Sequence, residues 1–228
     1  MKPNLIFLHG GPGFKDYLKP FFNSLTKDFN CVFFDQLQGP DIRIENLLSQ
    51  LDDIVTKIPG EKILVGHSWG GILAIEYAAL LPKSISGLAL ISTGLNSHHW
   101  SEEYHQELKN RGLEDAPLEK IFLAPAEMEV GLPFLASVDQ TFSEPTYESL
   151  KIGYLDHFDV TPRLAKLEMP ILNIFGELDL RFPVSVAKTF RNHNKNIIDY
   201  EIPNAGHFPY LLKEGREQIL KILRDSFF

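Results

Sequence analysis

Six short runs of the chain are apolar on nearly every position: "NLIFLH" (4–9), "CVFFD" (31–35), "KILVGH" (62–67), "ISGLALIS" (85–92), "PILNIFG" (170–176) and "NIIDYEIP" (196–203). A strand that alternates apolar and polar residues has one dry face. A strand that is apolar throughout has two, and a parallel sheet covered by helices on both sides supplies that environment. Helical patterns fall between the runs. "IRIENLLSQLDDIVTKI" repeats apolar residues at 44, 47, 48, 51, 54, 55 and 58, the spacing of one helix face. "GGILAIEYAALLP" is apolar nearly all round, as a helix buried against a sheet must be, and Pro82 stops it. "KDYLKPFFNSLTKDF" carries Pro20, so its helix is broken or starts late, while "VSVAKTFRNH" and "YLLKEGREQILKILRDSFF" follow the last two strands. Strand alternating with helix predicts a doubly wound α/β fold with right-handed crossovers.

The alternation fails once. Residues 94–166 contain no comparable strand and more charge and proline, with weaker helical patterns at "HHWSEEYHQELKNRG", "PLEKIFLAP" and "TYESLKIGYL". That is too long for a plain loop in a compact domain. The expected organisation is a core made of 1–93 and 167–228 and a helical lid of 94–166 over the carboxyl ends of the strands.

Bulk properties exclude several classes. The chain has 228 residues, which suits one domain with an insertion. A net charge of −8 with scattered basic residues argues against nucleic-acid binding. No apolar run is long enough for a membrane span, and the N-terminus lacks the features of a signal peptide. The single Cys31 lies in an apolar run, reads as a small core residue and fits a reducing compartment, so the expected location is cytoplasmic. There is no C-x-x-C or H-E-x-x-H, and the adjacent His98 and His99 would diverge, so no metal site is expected.

The chemistry centres on "VGHSWGG", 65–71. A serine at the tip of a sharp strand-to-helix turn adopts a strained backbone, and the residues two before and two after it come too close to carry side chains. Gly66 and Gly70 meet that need around Ser68, the candidate nucleophile. A serine hydroxyl needs a base, and the base needs an orienting acid. His207 in "NAGHFPY" follows the last strand and is the candidate base. "IFGELDLRFP" offers two acids after the preceding strand, Asp179 as first choice and Glu177 as fallback. The backbone N–H groups of Trp69 and Gly11, the latter in the turn "HGGPG", are candidates for an oxyanion hole. That turn lacks the spacing of a dinucleotide or P-loop site.

The motifs "HGGPG", "GHSWGG", "GELD" and "AGHFP", with the lead-in "DVTPRLAKLEMPIL", occur in the order of the α/β-hydrolase superfamily, which the chain resembles over all but the 94–166 stretch. The resemblance implies an α/β-hydrolase fold, here with a mostly parallel sheet trimmed to about six strands, and a Ser68–Asp179–His207 triad. "HGGPG" and "FFDQ" are similar to the proline iminopeptidase branch. The chain departs from that branch at Leu37-Gln38, where Arg-Gly would follow, at Pro40, at His67, and in its shorter insertion.

The expected activity is hydrolysis of a small carboxylic ester or amide through an acyl-enzyme, with no metal or organic cofactor implied. Alternatives are a proline iminopeptidase-like aminopeptidase, a carbon–carbon bond hydrolase, and a ligand receptor without turnover. Trp100, Phe122, Phe134 and Phe142 are candidates for an apolar substrate lining. Glu102, Glu103, Glu107, Glu127 and Glu129 read either as a solvated helix face or as holders of a substrate ammonium group.

Overall fold

The computed structural model describes residues 2–228. Its six strands are β1 (Asn4–Leu8), β2 (Asn30–Phe33), β3 (Lys62–His67), β4 (Gly87–Ile91), β5 (Ile171–Gly176) and β6 (Ile197–Ile202). They lie in one sheet in the order β2-β1-β3-β4-β5-β6, and all five pairings are parallel. The helices are α1 (Lys19–Phe22), α2 (Ile44–Val55), α3 (Trp69–Leu80), α4 (Ser97–Arg111), α5 (Leu118–Phe122), α6 (Met128–Asp139), α7 (Glu144–Leu150), α8 (Thr161–Leu164), α9 (Val184–Lys188), α10 (Phe190–His193) and α11 (Lys213–Phe227).

Successive strand residues serve opposite cores, as the pleat requires. Ile6, Leu8, Leu64, Leu88 and Leu90 pack with α2 and α3 on one face. Leu5, Phe7, Ile63, Val65, Ala89 and Ile91 pack with Phe22 and α11 on the other. This two-sided burial is the reason the runs of β1, β3, β4 and β5 are apolar on nearly every position, while the edge strands β2 and β6 are only partly covered. Residues 69–78 of α3 are all buried, including Glu76. That carboxylate is compensated by Arg163, 2.7 Å away, and by the Tyr154 hydroxyl.

The segment between β4 and β5 is helical, carrying α4 to α8. Its ends are drawn together by the bridge Asn96–Asp159 and by Val160 N–H donating to Leu95 O at 2.8 Å. Helix α6 was not legible in the sequence because Gly131 and Pro133 interrupt its pattern. Elsewhere in the segment, "TYESLKIGYL" forms α7 followed by a wide π-type turn over Lys151–Leu155.

The order of strands places the chemistry. The chain runs outward from β1 to β2 on one side and from β3 to β6 on the other. The strand order therefore reverses between β1 and β3, and the carboxyl ends of two such strands are the usual ligand position in parallel sheets. The "HGGPG" turn leaves β1 there and Ser68 leaves β3.

Candidate active site

Ser68 has φ 54° and ψ −122°, in the left-handed half of backbone space that residues with a Cβ rarely occupy. Its backbone is held there by Ser68 N–H to Ile91 O at 2.9 Å and by the Thr93 hydroxyl donating to Ser68 O at 2.7 Å. The turn is possible because the glycines allow contact. A Cβ on Gly66 would sit 2.4 Å from Gly70 O, and one on Gly70 would sit 2.1 Å from Leu8 O. Both obstacles are backbone and cannot swing away. Gly70→Ala is therefore expected to destabilise the fold by about 3 kcal/mol, measured as a lower urea midpoint. An unchanged midpoint would contradict this packing.

Ser68 is partly accessible between buried His67 and Trp69. A Cβ on Gly10 would lie 2.9 Å from the Ser68 Cβ, so the turn after β1 abuts the serine. Gly11 has φ +74°. The Gly10 N–H is taken by the Tyr17 hydroxyl oxygen at 2.8 Å. The Gly11 and Trp69 N–H groups have no protein acceptor among the described residues.

Asp179 follows β5 and His207 follows β6. Asp179 Oδ2 lies 3.1 Å from His207 Nδ1, and both side chains are buried. The other carboxylate oxygen, Oδ1, accepts from Phe182 N–H at 2.9 Å. Glu177 is instead exposed and accepts from Asn204 N–H at 2.9 Å, so it braces a turn and does not reach the histidine.

The candidate lining residues divide. Phe122 packs on His207 with ring centres 5.2 Å apart, and its carbonyl accepts the His207 N–H at 2.9 Å. Trp100 reaches the site through Phe182, 5.5 Å away, which stacks on His207 at 5.7 Å. Phe142 lies over Phe14 at 5.0 Å, beside the turn after β1. Phe134 sits a layer back, 5.8 Å from Tyr17 and 5.1 Å from Phe208.

Sequence reasoning missed a buried network beneath these residues. His67 Nε2 faces the His207 carbonyl at 2.9 Å and must carry the proton. Its Nδ1 then accepts from the Tyr17 hydroxyl at 2.7 Å, and Tyr17 in turn accepts from Gly10 N–H. The chain of donors ties the turn after β1 to the loop that carries His207. Burial, with the neighbouring His207 adding to it, holds His67 well below the ordinary histidine range, so it is neutral. A second branch runs from Trp69 Nε1 to Gln36 Oε1 at 2.9 Å, and from Gln36 Nε2 to His9 O at 2.8 Å. Burial lowers His9 to about 4.

Glu127 is the buried acid among the five glutamates singled out in the β4–β5 segment. Its Oε2 accepts from Ala124 N–H at 2.8 Å and from Gly206 N–H at 3.0 Å, while Oε1 has no partner. Burial raises its pKa to about 7 despite the two donors, and the charge of Asp179 adds to the rise. The folded pKa lies above the unfolded value. Its stabilising contribution is therefore full below about pH 4.5 and is lost as pH climbs to about 7. The expected result is that Glu127→Gln, which keeps the acceptor, gains stability relative to wild type between pH 5 and pH 8, by about 2–3 kcal/mol. Urea unfolding of both proteins at each pH checks this. A constant difference would refute the raised pKa.

Residues 3–214 match the family described as alpha/beta hydrolase fold, and the chain belongs to it. It is an enzyme of the α/β-hydrolase type. Among curated relatives it is 26% identical to a proline iminopeptidase of Lactobacillus delbrueckii subsp. lactis, covering 95% of this chain and 87% of that protein. It is also 26% identical to a pimeloyl-[acyl-carrier protein] methyl ester esterase of Wigglesworthia glossinidia brevipalpis, covering 91% of this chain and 88% of that protein. A proline iminopeptidase-related protein from Thermus thermophilus superposes with a TM-score of 0.82 at 19% identity, over 99% of this chain and 90% of that one. No helix among the described residues is long and apolar enough to cross a membrane.

Proposed function

We propose that the protein is a serine hydrolase that cleaves a small carboxylic ester or amide through an acyl-enzyme. The observation that carries the reading is the buried 3.1 Å contact between Asp179 and His207, at the same sheet edge as the strained Ser68 turn. His207 takes the Ser68 proton on Nε2 as the hydroxyl oxygen attacks the carbonyl carbon. Asp179 accepts from Nδ1–H, fixes that tautomer and stabilises the imidazolium. The oxyanion is received by the N–H groups of Trp69 and Gly11. His207 then protonates the leaving group, and a water activated by the same imidazole clears the ester on Ser68. The helical segment 94–166 acts as the lid, with Phe122 and Trp100 forming the wall nearest the base and Phe142 the wall nearest the oxyanion turn.

The relatives named proline iminopeptidase support a second reading, cleavage of an N-terminal proline. The two are separated by fluorophosphonate labelling followed by intact mass, with turnover of short p-nitrophenyl esters compared with proline p-nitroanilide. Labelling with ester preference supports the first reading. Labelling with anilide preference moves the second to the front. A folded protein that neither labels nor turns over either substrate refutes both.

A further inference from the structure

Arg181 stands two residues beyond Asp179 and next to Phe182, the residue stacked on His207. Its guanidinium carbon lies 4.3 Å from the centre of the Trp100 ring and 5.5 Å from that of Tyr104, both on α4. Trp100 is itself fixed by donating its indole N–H to Arg181 O at 2.6 Å. Among the described residues no carboxylate forms an ion pair with this guanidinium, and the polar group beside it is the Tyr104 hydroxyl. The nearby acid, Asp179, is committed on both oxygens, to His207 and to Phe182 N–H. Burial lowers the Arg181 pKa, while Tyr104, Tyr147 and Asp179 act in the opposite direction. Tyr104 and Tyr147 stand on different lid helices, α4 and α7, so the charge lies where these helices meet the loop of the acid.

An arginine taken partly out of water with no anion beside it is costly, and the cost is recovered when an anion arrives. An aromatic face holds the flat cation without using its N–H donors, and those not turned to the Tyr104 hydroxyl remain available to a planar anion. On the serine-hydrolase reading, we propose that Arg181 binds a carboxylate on the acyl part of the substrate, so that the preferred substrates are monoesters of short dicarboxylic acids. The guanidinium forks onto two carboxylate oxygens, and Trp100 and Tyr104 form the wall behind it. A site with this cation is also poorly suited to a substrate ammonium group.

The test compares mono-p-nitrophenyl glutarate with p-nitrophenyl pentanoate, in which a methyl group replaces the carboxylate. Wild type is expected to favour the glutarate ester in kcat/KM at low salt. In Arg181→Gln the ratio of the two kcat/KM values should fall about 10- to 100-fold, with the change in KM, and Arg181→Lys should restore part of it. A residue that merely braces α4 would lower both rates together and leave the ratio unmoved, and that result overturns the proposal. So does a wild type that favours pentanoate. If Arg181→Gln does not fold, protection of wild type from fluorophosphonate by glutarate, but not by glutaramide, carries the same decision, and equal effects overturn it. Should neither ester turn over, calorimetric binding of glutarate to wild type and Arg181→Gln separates the two ideas. Binding weakened at least about tenfold upholds the anion site although the hydrolase reading has failed; equal binding refutes the site as well.

Discussion

Ser68→Ala is expected to lower kcat/KM on an activated ester by at least about 10⁴-fold, or about 5.5 kcal/mol of transition-state stabilisation. The fold should survive, because the bonds that hold this residue use its own backbone and not its side chain: its N–H donates to Ile91 O, and its O accepts from the Thr93 hydroxyl and from Gly71 N–H. Alanine retains them all and carries the same Cβ into the φ 54° position. Activity and fluorophosphonate labelling should vanish together while the thermal midpoint moves little. Retention of more than about 1% of the wild-type rate, a loss far smaller than removal of a nucleophile produces, would mean that a different group attacks the substrate.

The parts of the molecule that were legible in the sequence are those that depend on local repetition. The β1, β3, β4 and β5 runs are apolar on both faces because helices cover both sides of the sheet, whereas the edge strands β2 and β6 leave residues such as Asn30, Ile198 and Glu201 exposed. Ser68, Asp179 and His207 stand out because each follows a strand within a short motif, and a strand end in a parallel sheet is where loops converge. Asp179 and His207 do meet there, while Glu177 turns away to Asn204. What escaped the sequence depends on partners far apart along the chain. Tyr17 meets His67 across 50 positions, and His67 meets the His207 carbonyl across 140. No periodicity registers such pairs, so a buried polar core joining the β1 turn to the β6 loop looked like three unrelated residues. Glu127 was equally hidden: among surface-like glutamates, only burial by α5, α6 and the Gly206 turn distinguishes it. Arg181 could have been noticed as a cation beside the acid motif, but its lack of an acidic partner is a fact of three dimensions.

Asp179→Asn should be nearly as damaging as loss of the serine, by about 10⁴-fold in kcat, although it removes no atom from contact with substrate. The reason is a matter of donors and acceptors. Asp179 Oδ1 already accepts from Phe182 N–H at 2.9 Å, so an asparagine must place its carbonyl oxygen there. Its amide nitrogen then faces His207 Nδ1, 3.1 Å from the present Oδ2. A donor in that position forces Nδ1 to accept, and the ring proton moves to Nε2. In the proposed mechanism Nε2 takes the Ser68 proton, so the base would be blocked by its own hydrogen. The reverse amide orientation restores the tautomer but leaves Phe182 N–H facing an amide nitrogen in a buried site, which costs about 1–3 kcal/mol. The variant should therefore fold, with KM little changed and kcat collapsed. Histidine NMR should show the His207 Nε2–H tautomer in place of Nδ1–H. A fall in kcat of less than about tenfold with the Nδ1–H tautomer retained would show that Asp179 only packs the loop and does not orient the base.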